Sequence, residues 1–219
     1  QIISINFFLK MSVRFTILGC GSSLGIPSID GYFGKCNPKI QENYRTRCSA
    51  LITFNELNIL IDTSPDLKSQ LLKNRVKNIN SIFYSHMHGD QTHGINELRA
   101  FYLKNRKKLD LFADKTTSKY LVNSFNYCFN NNYGYPAIFN LKMLKKKHII
   151  KKNNKNLIFE PIKVKHGKIN SLMFKINNTC AYASDVSKIY PKDLKKINNL
   201  KYFIVDCLRY EPHPSHFNL

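Results

Sequence analysis

One stretch of ten residues constrains this chain more than any other: Ser85-His86-Met87-His88-Gly89-Asp90-Gln91-Thr92-His93-Gly94. It follows a short apolar run, Ser81-Ile82-Phe83-Tyr84, that predicts a buried strand. Two histidines separated by one residue at a strand end can turn both imidazoles to the same side. Asp90 adds a hard oxygen donor two residues further on. Imidazole and carboxylate together suit Zn²⁺ and its first-row neighbours. A lone His here would read as loop polarity. Three His and one Asp within eight positions read as a metal-binding loop.

Other stretches extend the pattern. Val13–Leu18 alternates as a strand should and runs into the glycine-rich Gly19-Cys20-Gly21-Ser22-Ser23-Leu24-Gly25. No helical pattern follows that loop, so it is not a dinucleotide fingerprint. Further apolar strands are expected over Ala50–Phe54, Asn58–Ile61, Leu109–Ala113, Leu157–Val164, Met173–Ile176, Cys180–Ala183 and Leu200–Asp206. Helical spacing is expected over Asp66–Lys73, Ile95–Leu103 and Ser118–Phe129. Three of the strands deliver polar residues at their ends: Asp62, His166 and Asp185.

His86-Met87-His88-Gly89-Asp90 resembles the H-x-H-x-D-H signature of the metallo-β-lactamase superfamily. The chain from Val13 to Leu219 is similar to one branch of it, the phosphoribosyl 1,2-cyclic phosphate phosphodiesterase-like hydrolases. The likeness rests also on the glycine-rich loop, on Asn43-Tyr44-Arg45-Thr46-Arg47-Cys48-Ser49, on Lys165-His166-Gly167 and on Ala183-Ser184-Asp185-Val186. It ends on His213-Pro214-Ser215-His216-Phe217-Asn218-Leu219, close to the family's H-P-[ST]-H-F-N-L. Gln91 departs from the pattern, since the signature has His there. A Gln carbonyl can ligate a metal, but more weakly than imidazole.

The resemblance implies an α/β fold, a four-layer αββα sandwich over residues 13–219. It implies two divalent ions, zinc or manganese. One is held by His86, His88, His166 and Asp185; the other has Asp90, Asp185 as a bridge, and Gln91. Asp90 orients the attacking hydroxide, and His216 is the general acid for the leaving oxygen. Asp62 supports the metal loop, and His93 lies beside it, either as a loop His or as a substitute for the imidazole lost at Gln91. The implied reaction is metal-assisted hydrolysis of a small, cyclic phosphodiester. Relatives carry a further helix and an L-T-H-[IM]-S strand that supplies the last ligand of the second metal. This sequence stops before that segment, which suggests C-terminal truncation and an incomplete second site. At the other end, residues 1–12 precede or overlap a natural start at Met11 and read as an extension.

Arg45 and Arg47 have two readings of equal weight. Guanidinium matches a substrate phosphate bidentately, and it pairs equally well with surface carboxylates. The formal net charge of +20 invites a nucleic-acid partner. Lys-Asn runs such as Lys145-Lys146-Lys147 and Lys151-Lys152-Asn153-Asn154-Lys155 also read as solvated turns, so a small phosphodiester ranks above nucleic acid. A tRNA 3′-end nuclease of the same superfamily and a metal-binding protein without turnover are the rival readings. The six Cys lack C-x-x-C spacing and suit reduced thiols in a cytoplasmic enzyme. No apolar run reaches the length of a membrane span, and a homodimer is left open.

Overall fold

The computed structural model describes residues 4–5, 13–131 and 134–219. The chain divides into two compact units, Gln1–Met143 and Leu144–Leu219. Each is built on one sheet.

The first unit carries seven strands in spatial order: β1 (Ser4–Ile5), β2 (Val13–Gly19), β3 (Ser49–Phe54), β4 (Leu57–Ile61), β5 (Ser81–Phe83), β6 (Leu109–Ala113) and β7 (Phe139–Met143). The four strands β1 to β4 pair antiparallel, and β4 to β7 pair parallel. Parallel neighbours need crossovers. These are supplied by α1 (Leu67–Lys73), α2 (Gly89–Thr92), α3 (Arg99–Asn105), α4 (Lys115–Ser124) and α5 (Asn126–Phe129). The core beneath them is aliphatic and aromatic. Leu60, Leu67, Ile82, Tyr84, Ile95, Leu98, Leu111 and Leu121 are all fully buried. β2 begins at Val13. Of residues 1–12, Ser4–Ile5 pairs with Phe15 and Thr16 on β2. Its other residues lie outside the described ones.

The second unit carries five strands in the order β12 (Tyr202–Val205), β11 (Cys180–Ala183), β10 (Ile169–Ile176), β9 (Lys155–His166) and β8 (His148–Lys152). A short helix, α6 (Pro191–Leu194), precedes β12. Ile162, Val164, Met173, Ala181, Ala183 and Val186 form its buried cluster. The hairpin expected around Asn177 is present, with Asn177 at φ 51° between β10 and β11.

Several expectations need correcting. The helix expected over Ser118–Phe129 breaks at Phe125, whose φ of −126° ends α4 before α5 begins. The helix expected over Ile95–Leu103 opens as a 3₁₀ turn, Ile95–Leu98, before becoming α3. The last strand is not buried. β12 pairs on one side only, and Phe203 and Val205 are exposed. The six cysteines are all free, as expected of reduced thiols. Among the described residues, no helix is long and apolar enough to cross a membrane.

The β3–β4 turn is a two-residue loop in which Asn55 and Glu56 both take positive φ, 44° and 70°. Hairpin loops of this kind favour Asn-Gly, because a side chain in the left-handed region costs roughly 1–2 kcal/mol. Glu56→Gly should therefore raise stability by about 0.5–1 kcal/mol, after allowing for glycine's extra chain entropy. A denaturant midpoint that falls on substitution would contradict this.

Candidate metal centre

In the first unit, the end of β5 delivers the histidine loop. The Ser85 N–H donates to Asp62 Oδ1 at 2.7 Å. Asp62 is fully buried in the left-handed region, φ 60°. Its own N–H donates to the Phe83 carbonyl, and its carbonyl accepts from Ser49 Oγ. The side chain that follows β4 therefore fixes Ser85, the second residue after β5. His86 is buried, and its Nδ1 lies 3.0 Å from Ser85 Oγ. Its ring meets that of the exposed His88 at 4.6 Å, tilted 72°. The one-residue spacing on extended backbone has brought the two imidazoles together.

Beyond His88, the four residues of α2 turn the chain back. Asp90 is half-buried at its first turn, and Gln91 is buried, with its amide Nε2 donating to Asp90 Oδ2 at 3.3 Å. His93 takes another direction. It is exposed, and its ring packs edge-on against Phe125 and Tyr120, with centroids 5.4 and 6.4 Å away. That packing matches a loop histidine.

Thr63 ties this loop down, and nothing in its residue type announces it. Its N–H donates to the Gln91 carbonyl at 2.7 Å, and its carbonyl accepts from the Gly94 N–H at 2.9 Å. Its hydroxyl bonds the Thr92 carbonyl and the Tyr84 phenol. Burial pushes that phenol well above its ordinary pKa, so it stays neutral in this network.

Arg47 is engaged. Its Nε and a terminal nitrogen grip the Asp66 carboxylate at 2.8 and 2.7 Å, and its backbone N–H bonds the same group. Of the two readings of Arg47, this is the carboxylate pair. Arg45 is exposed, with Nε on the Glu42 carbonyl at 3.2 Å. The hydrogen bond from Arg47 holds the Asp66 carboxyl below its usual range. A carboxylate with a depressed folded-state pKa stabilises above its unfolded value of about 3.9, and the contribution fades as pH falls through the folded value. Asp66→Asn should flatten the acid limb of the stability profile below about pH 4. The amplitude should be about 1 kcal/mol or less, because the pair is partly solvated. Urea midpoints measured from pH 7 to pH 2 test it, and an unchanged acid limb would exclude a stabilising role.

The second unit gathers three donors by itself. β9 ends in His166, β11 leads into Asp185, and the segment after β12 returns through Ser215-His216. The Nδ1–H of His166 donates to the Ser215 carbonyl at 2.6 Å, since a carbonyl can only accept. Its Nε2 is then the lone-pair nitrogen, and it lies 4.0 Å from Asp185 Oδ1. His216 Nδ1 lies 2.6 Å from Asp206 Oδ2 and 3.7 Å from Asp185 Oδ1. The Val186 N–H reaches the same Asp206 oxygen at 3.2 Å. Gly167, at φ 55°, permits this return. A Cβ there would stand 2.8 Å from that of Ser215.

The donor atoms of His166, Asp185 and His216 all lie within 4.8 Å of one another. The donor set is imidazole and carboxylate, and His166 is oriented by an outer acceptor on its other ring nitrogen. Zinc and its neighbours are held in this way. The residues present therefore fit a divalent ion. Asp206 was not anticipated from the sequence. Its partner lies ten residues away, and an Asp at a strand end is in itself a weak signal.

Comparison with known proteins agrees with this geometry. Residues 57–219 match the family model described as a β-lactamase superfamily domain. A crystal structure of a diphosphatase from the PhnP family superposes with a TM-score of 0.81 at 26% identity. It covers 94% of this chain and 78% of that one. The short form of human tRNase Z superposes with a TM-score of 0.63 at 15% identity, covering 88% and 77%. A curated protein named octanoyltransferase, from Porphyromonas gingivalis, is 28% identical over 206 residues, which is 93% of this chain. The match spans 41% of that protein's own length. Family model, superposition and donor set agree: the chain is similar to the PhnP family in fold, and it belongs to the metallo-β-lactamase superfamily.

Proposed function

We propose that this chain is a metal-dependent hydrolase of small phosphodiesters, with a cyclic phosphodiester as its substrate class. The observation that carries the reading is the cluster of His166, Asp185 and His216, with donor atoms within 4.8 Å. The reaction class is supported by the likeness to a diphosphatase at 26% identity. In the first unit His86, His88, Asp90 and Gln91, and in the second His166 and Asp185, are the residues that would hold divalent ions, zinc or manganese. Such ions supply Lewis acidity and a nucleophile at neutral pH.

The chain's own side chains do the rest. Asp62 fixes Ser85 and with it the direction in which His86 leaves the sheet. Asp90 orients the attacking water. His216 delivers a proton to the departing alkoxide, and Asp206 holds its Nδ1 at 2.6 Å, so that Nε2 is the nitrogen presented to substrate. Arg45, with its exposed guanidinium, takes a second substrate phosphate.

The test is hydrolysis by the purified chain, loaded with zinc or manganese, of an aryl phosphodiester and of a five-membered cyclic phosphodiester. Turnover that disappears with chelator and in Asp185→Ala supports the reading. A metal-loaded chain that cleaves neither substrate overturns it, and selective cleavage of precursor tRNA would replace it with the nuclease reading. Leaving groups test the acid. Asp206→Asn should lower kcat on an alkyl leaving group by about 10- to 100-fold with little change in KM. The effect on a p-nitrophenyl ester should be smaller, because that leaving group departs without a proton. Equal losses on both would remove His216 from proton transfer.

A further inference from the structure

Six lysines of the second unit lie outside the chemistry described above. Lys145, Lys146, Lys147, Lys151, Lys152 and Lys155 fall within a short stretch, and no Asp or Glu occurs between Leu144 and Phe159. The structure folds them onto one hairpin. β8 pairs antiparallel with the start of β9, and Asn153 and Asn154, at φ 49° and 56°, form the two-residue turn. Lys152 stands directly opposite Lys155 in that ladder, and Lys151 opposite Asn156. Like charges set opposite each other in a ladder cost stability. The His148 ring nitrogen Nε2 accepts from the Lys145 N–H at 2.7 Å, so the Lys145–Lys147 turn is folded back onto the base of β8.

The two lysine groups therefore sit at the two ends of one edge strand. Four residue steps of strand separate His148 from Lys152, about 13 Å. Lys145, Lys146, Lys147, Lys151 and Lys155 are exposed. The next carboxylate along the chain, Glu160, is directed at Lys175 on β10, 3.7 Å away. Lysine does blunt an exposed sheet edge against unwanted pairing. Blunting does not explain a second cluster at the far end of the strand or a like-charged pair facing across it.

We infer that the β8–β9 hairpin is a binding surface for the phosphate backbone of a nucleic-acid strand, recognised by charge and not by base sequence. A membrane surface fits less well. Elements that lie in a bilayer interface present an apolar face of Trp, Phe or Leu. This hairpin presents two asparagines at its tip, and Ile149 is its exposed large apolar side chain. The inference stands apart from the hydrolase reading, because binding at the hairpin requires no turnover.

The test is fluorescence anisotropy of a labelled 20-nucleotide oligouridylate with the full chain, titrated across salt concentrations. Two triple variants are compared with wild type: K145A/K146A/K147A and K151A/K152A/K155A. A third, K192A/K195A/K201A, removes as much charge from the same unit elsewhere. The expected result is wild-type binding whose log affinity falls with log salt. Each hairpin triple should lower the slope by about 2, at roughly 0.7 for each phosphate that is no longer neutralised, and the control triple should change it little. Three outcomes overturn the inference: no oligonucleotide binding at low salt, equal weakening in all three triples, or hairpin-dependent binding to phosphatidylserine vesicles without binding to the oligonucleotide. Unchanged circular dichroism of the variants separates a binding defect from a folding defect.

Discussion

Asp185→Ala is expected to weaken divalent-metal affinity by more than about a hundredfold and to abolish phosphodiester hydrolysis. Outer-shell partners of metal ligands are worth about 10- to 100-fold when removed, and a ligand itself should cost more. Asp185 lies nine-tenths buried beside both histidines of its cluster, 4.0 Å from His166 Nε2 and 3.7 Å from His216 Nδ1. It is the one carboxylate of that cluster, so its removal leaves His166 with no anionic donor beside it. The measurement need not involve turnover. A ligand at 100 times its dissociation constant stabilises a protein by about 2.7 kcal/mol. The melting temperature of the wild type should therefore rise with zinc or manganese, and that of Asp185→Ala should not. If metal raises both melting points equally, Asp185 is not a ligand.

Much of this was legible in the sequence, for identifiable reasons. β2, β3, β5, β6 and β11 lie within a residue or so of where alternation or apolar runs place them. Each is buried on at least one face and reads as such. β7 and β8 were missed because Asn140 and Lys142 interrupt the first and His148, Lys151 and Lys152 flank the short apolar run of the second, and β8 owes its form to its ladder with β9. The four-residue α2 is too short to have a periodicity. It is held by Thr63, whose contribution depends on contacts 28 to 31 residues away in sequence. The site divides in the same way. His86 and His88 could be singled out from residue type and spacing after a strand, and His166 and Asp185 through the family resemblance. The residues that orient them could not. Asp206 reaches His216 across ten residues, and Asp66 reaches Arg47 across nineteen. Only the folded chain specifies those pairs. Arg47 shows the consequence, since its guanidinium suits a phosphate as well as a carboxylate and the choice is made by where α1 begins.

Gly94→Ala should be among the most damaging single substitutions outside the donor set. The position needs no special backbone angle, since its φ is −88°. What it lacks is space. A Cβ built there would lie 1.9 Å from the Ser64 carbonyl oxygen and 3.0 Å from Leu67 Cβ. The nearer clash is with backbone, which cannot rotate away as a side-chain end could. Separation would have to come from parting the Gly94 N–H from the Thr63 carbonyl, a bond of 2.9 Å. That bond and the one from Thr63 N–H to Gln91 hold the histidine loop against the end of β4. Overpacking a rigid neighbour costs typically 1–3 kcal/mol, and breaking the backbone bond adds about 1 kcal/mol. The sum of about 2–4 kcal/mol predicts a fall in melting temperature of roughly 4–16 °C for a protein of this size. Metal affinity should fall with it, because His86 and His88 sit on the segment that must move. A variant that melts within about 1 °C of wild type, and so has given up well under 1 kcal/mol, would show that the loop yields at no cost. The clamp between Thr63, Gln91 and Gly94 would then not be what positions the histidines.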